Sequence, residues 1–168
     1  MNRAVRYIDA SSEFLDRVSG RLAVAFLLLM WMSILLQIIA RYIFSQPPGW
    51  TEELARYAMI WGGLLGATVS CRRRLDPVLV RITSIQNPWL RTFSRWVEAC
   101  AIVIFAVPVL LVAPQFLQLH MERYTDSLRL PSALVVAVIP LCIAIILWHA
   151  IARLITETNA TGITESKT

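Results

Sequence analysis

Glu52, Glu53 and Arg56 place three ionisable side chains within five residues, immediately ahead of the uncharged stretch 57–71. In a helix starting near Thr51, both carboxylates fall in the first turn, where the positive end of the macrodipole favours them. Arg56 follows Glu52 by four residues and Glu53 by three, so an ion pair within the helix is available. The same residues allow a second use, in which one carboxylate points sideways to an arginine or amide of another membrane subunit. A partly buried charged contact of that kind fixes register between two proteins. On local physics both uses stay open.

Elsewhere the chain offers little for catalysis. Ionisable groups near the centre of a membrane are costly and kept for function, but none lies centrally in any apolar run here. The strongest polar residues inside the runs are Gln37, Gln115 and Gln118, each nearer an end than the middle. They suit interhelical hydrogen bonds, with an ion path as the alternative. Two histidines can hold haem between helices, but His120 and His149 close opposite ends of successive apolar runs and cannot share one iron. Cys71, Cys100 and Cys142 show no CxxC spacing and read as buried thiols. Walker, GxSxG and HExxH motifs are absent. The chain reads as neither an enzyme nor a cofactor or metal binder.

The elements that must position these residues follow from composition. Of 168 residues 57% are hydrophobic and 16% charged, with mean hydropathy +0.61, which excludes an ordinary soluble domain. Runs 22–40, 99–119 and 130–152 contain no Asp, Glu, Lys or Arg. Each can cross a hydrocarbon core of about 30 Å at about 1.5 Å per residue. Run 57–71 is short, but suffices if its helix starts near Thr51 with the charges at headgroup level. The expected fold is an all-α membrane protein with four transmembrane helices, at about 22–43, 51–71, 97–119 and 130–152. The first is too long for a signal sequence and lacks small residues before a cleavage site, so it should be retained.

Cytoplasmic loops hold more Lys and Arg. Twelve basic residues fall in the N-terminal segment, the middle loop and the C-terminal segment, against four in the other two loops. Both termini should therefore be cytoplasmic, with residues 50–56 at the outer face. The asymmetry also accounts for the net charge of +5 without nucleic acid.

A single membrane domain should cover 1–155, with 156–168 a disordered cytoplasmic tail. At about 100° per residue, Ala4, Tyr7, Ile8, Phe14, Leu15 and Val18 share one arc, opposite Arg3, Arg6, Asp9, Glu13, Asp16 and Arg17. This predicts a short amphipathic helix in the interface or against a partner. Asp76-Pro77 reads as a helix start, followed by Val78, Leu79, Ile82 and Ile85 at helical spacing. Asn87-Pro88 repeats the signal, bringing Trp89, Phe93 and Trp96 to the headgroup zone. Ala58, Gly62, Gly66 and Ser70 recur every fourth residue, beside a strip of Ala55, Gly63 and Ala67. Such a face lets another backbone approach closely, from this chain or from another subunit. Pro108, Pro114 and Pro140 should bend or loosen their helices.

The stretch "RYIFSQPPGWTEELARYAMIWGGLLGATVSCRRR" resembles the signature of the small, DctQ-type membrane subunit of tripartite ATP-independent periplasmic (TRAP) transporters. The matching positions are Arg41 and Tyr42, then Trp50, Glu52, Glu53, Arg56 and Tyr57, then Trp61, Leu65 and Gly66. Pro131 and Pro140 in "SLRLPSALVVAVIP" are similar to the family's last span, so the likeness covers nearly the whole chain. One departure is clear: the family's His-Ile-x-x-Asp pattern after the second span is replaced by "RRRLDPVLV". The resemblance implies a non-catalytic subunit of the bacterial inner membrane. In that family a large subunit holds the substrate and sodium sites, and a periplasmic binding protein delivers an organic acid. The small subunit braces the large one. Interface contacts are expected from Arg41, Trp50, Glu52, Glu53, Arg56 and Tyr57, with Gly62 and Gly66 as close-packing positions. A self-sufficient four-helix multidrug-type transporter would need a membrane-embedded carboxylate, which the first span lacks.

Overall fold

The computed structural model describes residues 3–45, 48–73, 75 and 88–165, and every regular element among them is helical. Helix α1 (Arg3–Phe44) is 42 residues long, about 63 Å at the usual rise and twice the thickness of a bilayer core. The amphipathic segment expected as a separate helix is instead its first turns. Nothing in 3–44 interrupts the run: there is no proline, and the one glycine, Gly20, sits in ordinary contact beside Val69. Ser45, at φ 54°, closes the helix in the left-handed region.

Helix α2 (Gly49–Arg73) follows, its start tightened by Thr51, whose amide and hydroxyl both donate to the Pro48 carbonyl at 3.2 and 2.6 Å. Helix α3 (Pro88–Met121) begins at the proline, where the missing N–H costs nothing, and stays one helix through Pro108 and Pro114. The fourth apolar run is divided into α4 (Ser132–Val136) and α5 (Val138–Glu165). Pro140 supplies the reason, since it has no N–H for the carbonyl four residues back at Val136. Beyond Thr156, where an unstructured tail was expected, α5 continues to Glu165. Extending a helix already nucleated fixes one residue per hydrogen bond gained. The helix start expected at Asp76-Pro77 lies outside the described residues.

α1 packs along α2, and α5 lies against both; among the described residues α3 meets α4 and α5 but neither α1 nor α2. The α3 face uses small side chains at the contact, Ala99 and Ala106, both buried. At the centre Ala23, Leu65, Val138 and Cys142 form a buried cluster, with Phe26 and Trp61 packed against it at 5.5 Å between ring centroids. Most large apolar side chains, by contrast, point outward, among them Trp31, Ile104 and Leu111. In water so large an apolar surface would drive aggregation, whereas in lipid it meets a matching solvent and helices associate through small residues.

Among the described residues three helical stretches are long and apolar enough to cross a membrane: Val5–Ile43, Trp96–Met121 and Ser132–Thr156. α2 has the length, at 25 residues, but its charged start and end and its glycines keep it out of that set.

Candidate functional site

The two adjacent glutamates have different fates. Glu53 turns into its own chain: its Oε2 accepts the backbone amides of Ser127 and Leu128 at 2.8 and 2.9 Å, and its Oε1 accepts the Tyr57 hydroxyl at 2.5 Å. The segment it grips is a tight loop between α3 and α4. Thr125 donates to the Leu130 carbonyl at 2.9 Å, Ser132 to that of Arg123 at 2.7 Å, and the Leu130 amide to the Thr125 hydroxyl at 3.0 Å. Arg129 closes the turn at φ 51°. Consecutive amides in such a turn form a concavity for an anion, and Glu53 fills it. Gly49 makes room, since a Cβ there would sit 3.3 Å from the Ser127 hydroxyl.

Glu52 faces away from the bundle and pairs with Arg56 at 3.0 Å, with both side chains more than 60% exposed. Trp50 beside it is 41% exposed, and Arg41 and Tyr42 in the last turn of α1 are exposed as well. Tyr57 is half-buried against Glu53. Of the expected interface residues, Arg41, Trp50, Glu52 and Arg56 thus stand open at one end of the bundle, while Glu53 and Tyr57 join the loop.

The glycines divide in the same way. A Cβ on Gly62 would meet Leu27 Cγ at 3.2 Å and the Ala23 carbonyl at 3.3 Å, so this glycine admits α1 and is an internal packing position. Among the described residues, nothing lies within 4 Å of such a Cβ on Gly63 or Gly66. Ala55, Ala58, Gly62 and Leu65 lie in the buried face of α2. Glu52, Arg56, Met59, Gly63 and Ala67 form the exposed one, with Gly66 at its edge. The exposed strip is therefore charged at its start and smooth below.

The opposite end of the bundle carries contacts that sequence reasoning missed. Arg73 grips the buried Asp16 with three hydrogen bonds of 2.9–3.3 Å. These bonds and the Asp16 charge raise the Arg73 pKa further above its already high value. Arg72 reaches Asp9 at 3.4 Å, and Arg153 of α5 pairs with Glu98 of α3 at 3.0 Å. His149, 3% exposed, shares a 2.7 Å hydrogen bond with Ser12 through Nδ1. The polar side chains Ser12, Asp16 and Ser19 of α1 are buried, while Tyr7 and Phe14 of the apolar arc are exposed. The signal available was three carboxylates, at 9, 13 and 16, opposite the arginine run 72–74.

His120 ends α3, where its ring nitrogen lies 2.8 Å from the Phe116 carbonyl, far along the bundle from His149. Of the thiols expected to be buried, only Cys142 is; Cys71 is half-buried and Cys100 is exposed on the outer side of α3. Among the described residues no group of three His, Cys, Asp or Glu could hold a metal ion.

Fold and site together define a multi-pass helical membrane protein with charged contacts at the ends of its bundle and an apolar outer surface. Residues 30–159 match the family described as tripartite ATP-independent periplasmic transporters, DctQ component, and the chain belongs to that family of transport proteins. Over 91 residues it is 28% identical to the sialic acid TRAP transporter permease protein SiaT of Haemophilus influenzae (strain 86-028NP). That match covers 54% of this chain and only 14% of the relative's length. No solved structure matches the chain.

Proposed function

We propose that this chain is the non-catalytic small subunit of a sodium-coupled TRAP transporter in the bacterial inner membrane, importing an organic acid delivered by a periplasmic binding protein. Its task is to brace and anchor the large transport subunit, and the substrate and sodium sites belong to that subunit. The observation that carries the reading is the exposed strip of α2: an ion pair at Glu52 and Arg56 above Gly63 and Ala67, with the half-buried Gly66 at its edge, left open by the described residues. Small residues on a lipid-side face let a partner helix approach closely.

Four spans fit this task. α2 runs between the two ends that the other helices join: its start is tied to the loop after α3, and its end to Asp16 and Asp9 of α1. A helix joining those two levels crosses whatever thickness α3 crosses. With the basic residues concentrated at the Arg73 end, that end is assigned to the cytoplasm.

The test is reconstitution. In liposomes this chain alone should move no organic acid, whereas together with the large subunit and the binding protein it should support sodium-dependent uptake. Replacing Glu52 and Arg56 with Gln should lower recovery of the large subunit with the chain. Uptake by the chain alone, or full uptake by the large subunit without it, would reject the reading.

A further inference from the structure

A cavity of about 330 Å³ opens at the Arg73 end of the bundle, among α1, α2 and α5. Its wall includes Asp9, Ser12, Arg72, Arg73, His149 and Arg153. Its size reaches the range of small-ligand clefts, and three of these side chains are guanidinium groups against one carboxylate. Asp16 and Glu98, which hold Arg73 and Arg153, are not part of the wall and act as orienting partners from behind. A guanidinium carries five N–H donors. Among the described residues the bonds from Arg72 to Asp9 and from Arg153 to Glu98 each use one, and a guanidinium's fork of further donors suits phosphate oxygens.

A second observation points to a ligand. His149 is 3% exposed, and its Nε2 finds no hydrogen-bond partner although Nδ1 is engaged by Ser12. A buried polar atom without a partner is costly, and this one belongs to a ring in the cavity wall. In the tautomer in which the Ser12 hydroxyl donates to Nδ1, Nε2 bears the proton. In that tautomer a phosphate oxygen, or a water brought in with it, would supply the missing acceptor once the ring turns toward the cavity it lines.

The depth of the cavity narrows the source. Arg72 directly follows the uncharged run 57–71, and Arg153 directly follows 130–152. The cavity therefore sits where two apolar runs stop together, at headgroup level whichever way the protein is inserted. Trp148, donating its indole N–H to Ser11 at 3.3 Å, lies at the same level, as interfacial tryptophans do. Basic pockets between membrane helices take lipid head groups by this chemistry. We infer that Arg72, Arg73 and Arg153, with His149 in the wall, form a binding site for a phosphate group, supplied by a phospholipid headgroup or by free phosphate.

The full chain, purified in a neutral detergent without added lipid, gives the test by thermal unfolding. It is titrated with phosphatidylglycerol, with a neutral glycolipid of the same acyl chains, with inorganic phosphate, and with chloride at matched ionic strength. Phosphatidylglycerol should raise the melting temperature and the glycolipid and chloride should not. A rise with inorganic phosphate as well assigns the source to free anion, and its absence assigns it to lipid; either supports a phosphate site. R72Q and R153Q should each weaken the response roughly tenfold, equivalent to losing about 1.4 kcal/mol of charge-assisted hydrogen bonding. Should these variants fold poorly, a photoactivatable phosphatidylglycerol on the unaltered chain decides. Crosslinks should concentrate at residues 9–16 and 149–156. An equal shift with the glycolipid, an undiminished response in the folded variants, or crosslinks spread evenly around the bundle would overturn the assignment.

Discussion

At Glu53 two carboxylate oxygens accept three hydrogen bonds from its own chain, while one residue earlier Glu52 accepts one from an exposed arginine. Neighbouring helix positions differ by about 100°, so the two side chains cannot share a role. Removing Glu53 strips the acceptor from two backbone amides of the loop. E53A should therefore lower the melting temperature of the chain, and E53Q should lower it less, because its carbonyl still serves both amides. E52A and R56A should leave it nearly unchanged, since exposed pairs are worth at most about 1 kcal/mol. The measurement is thermal unfolding of the isolated chain followed by circular dichroism. Equal losses at 52 and 53 would contradict the division. The sequence alone could not have made it: the glutamates are adjacent and chemically identical, and the group that distinguishes them lies 74 residues away at Ser127.

Among the elements, α2 has a face committed to α1 and a face that the described residues leave open. The fourfold spacing of small residues is plain in the sequence, but which of two neighbouring strips faces inward is set by Leu27 and the Ala23 carbonyl on another helix. The same non-local cause explains the first helix. Its apolar arc was legible, yet the expectation of a short separate helix, in the interface or against a partner, did not include that Asp9, Ser12 and Asp16 are held by Arg72, His149 and Arg73. Those contacts keep it in line with the span. The consequence for the glycines can be measured. G62A forces a Cβ against a backbone oxygen and should destabilise the chain by about 1–3 kcal/mol, the usual cost of overpacking. G66A meets open space and should stabilise α2 by up to about 1 kcal/mol, because alanine is the better helix former. G66L should be tolerated by the isolated chain yet reduce recovery of the large subunit. If G66L left that recovery intact, the open strip would not be the docking face.

For the molecule as a whole, the apolar runs made the helical membrane class and three of the crossing segments legible, because lipid imposes length and composition directly on sequence. The second segment is less apolar because its ends are tied to other parts of the chain: Glu53 to the loop after α3, Arg73 to α1. Its path decides the topology. If α2 crosses, Asp126 on the exposed loop and Leu75 just past the end of α2 lie on opposite sides of the membrane, with Leu75 on the side rich in arginine. In a chain with Cys71, Cys100 and Cys142 replaced by serine or alanine, D126C should react with a membrane-impermeant maleimide in intact spheroplasts. L75C should react only after lysis. Labelling of both before lysis would remove α2 from the set of spans, and the reverse pattern would invert the protein while leaving the fold unchanged. The inverted pattern would also move the Glu52–Arg56 pair, which sits beside the Asp126 loop through Glu53, away from the periplasmic face, where the docking strip must begin if the chain is to brace the large subunit alongside a periplasmic binding protein.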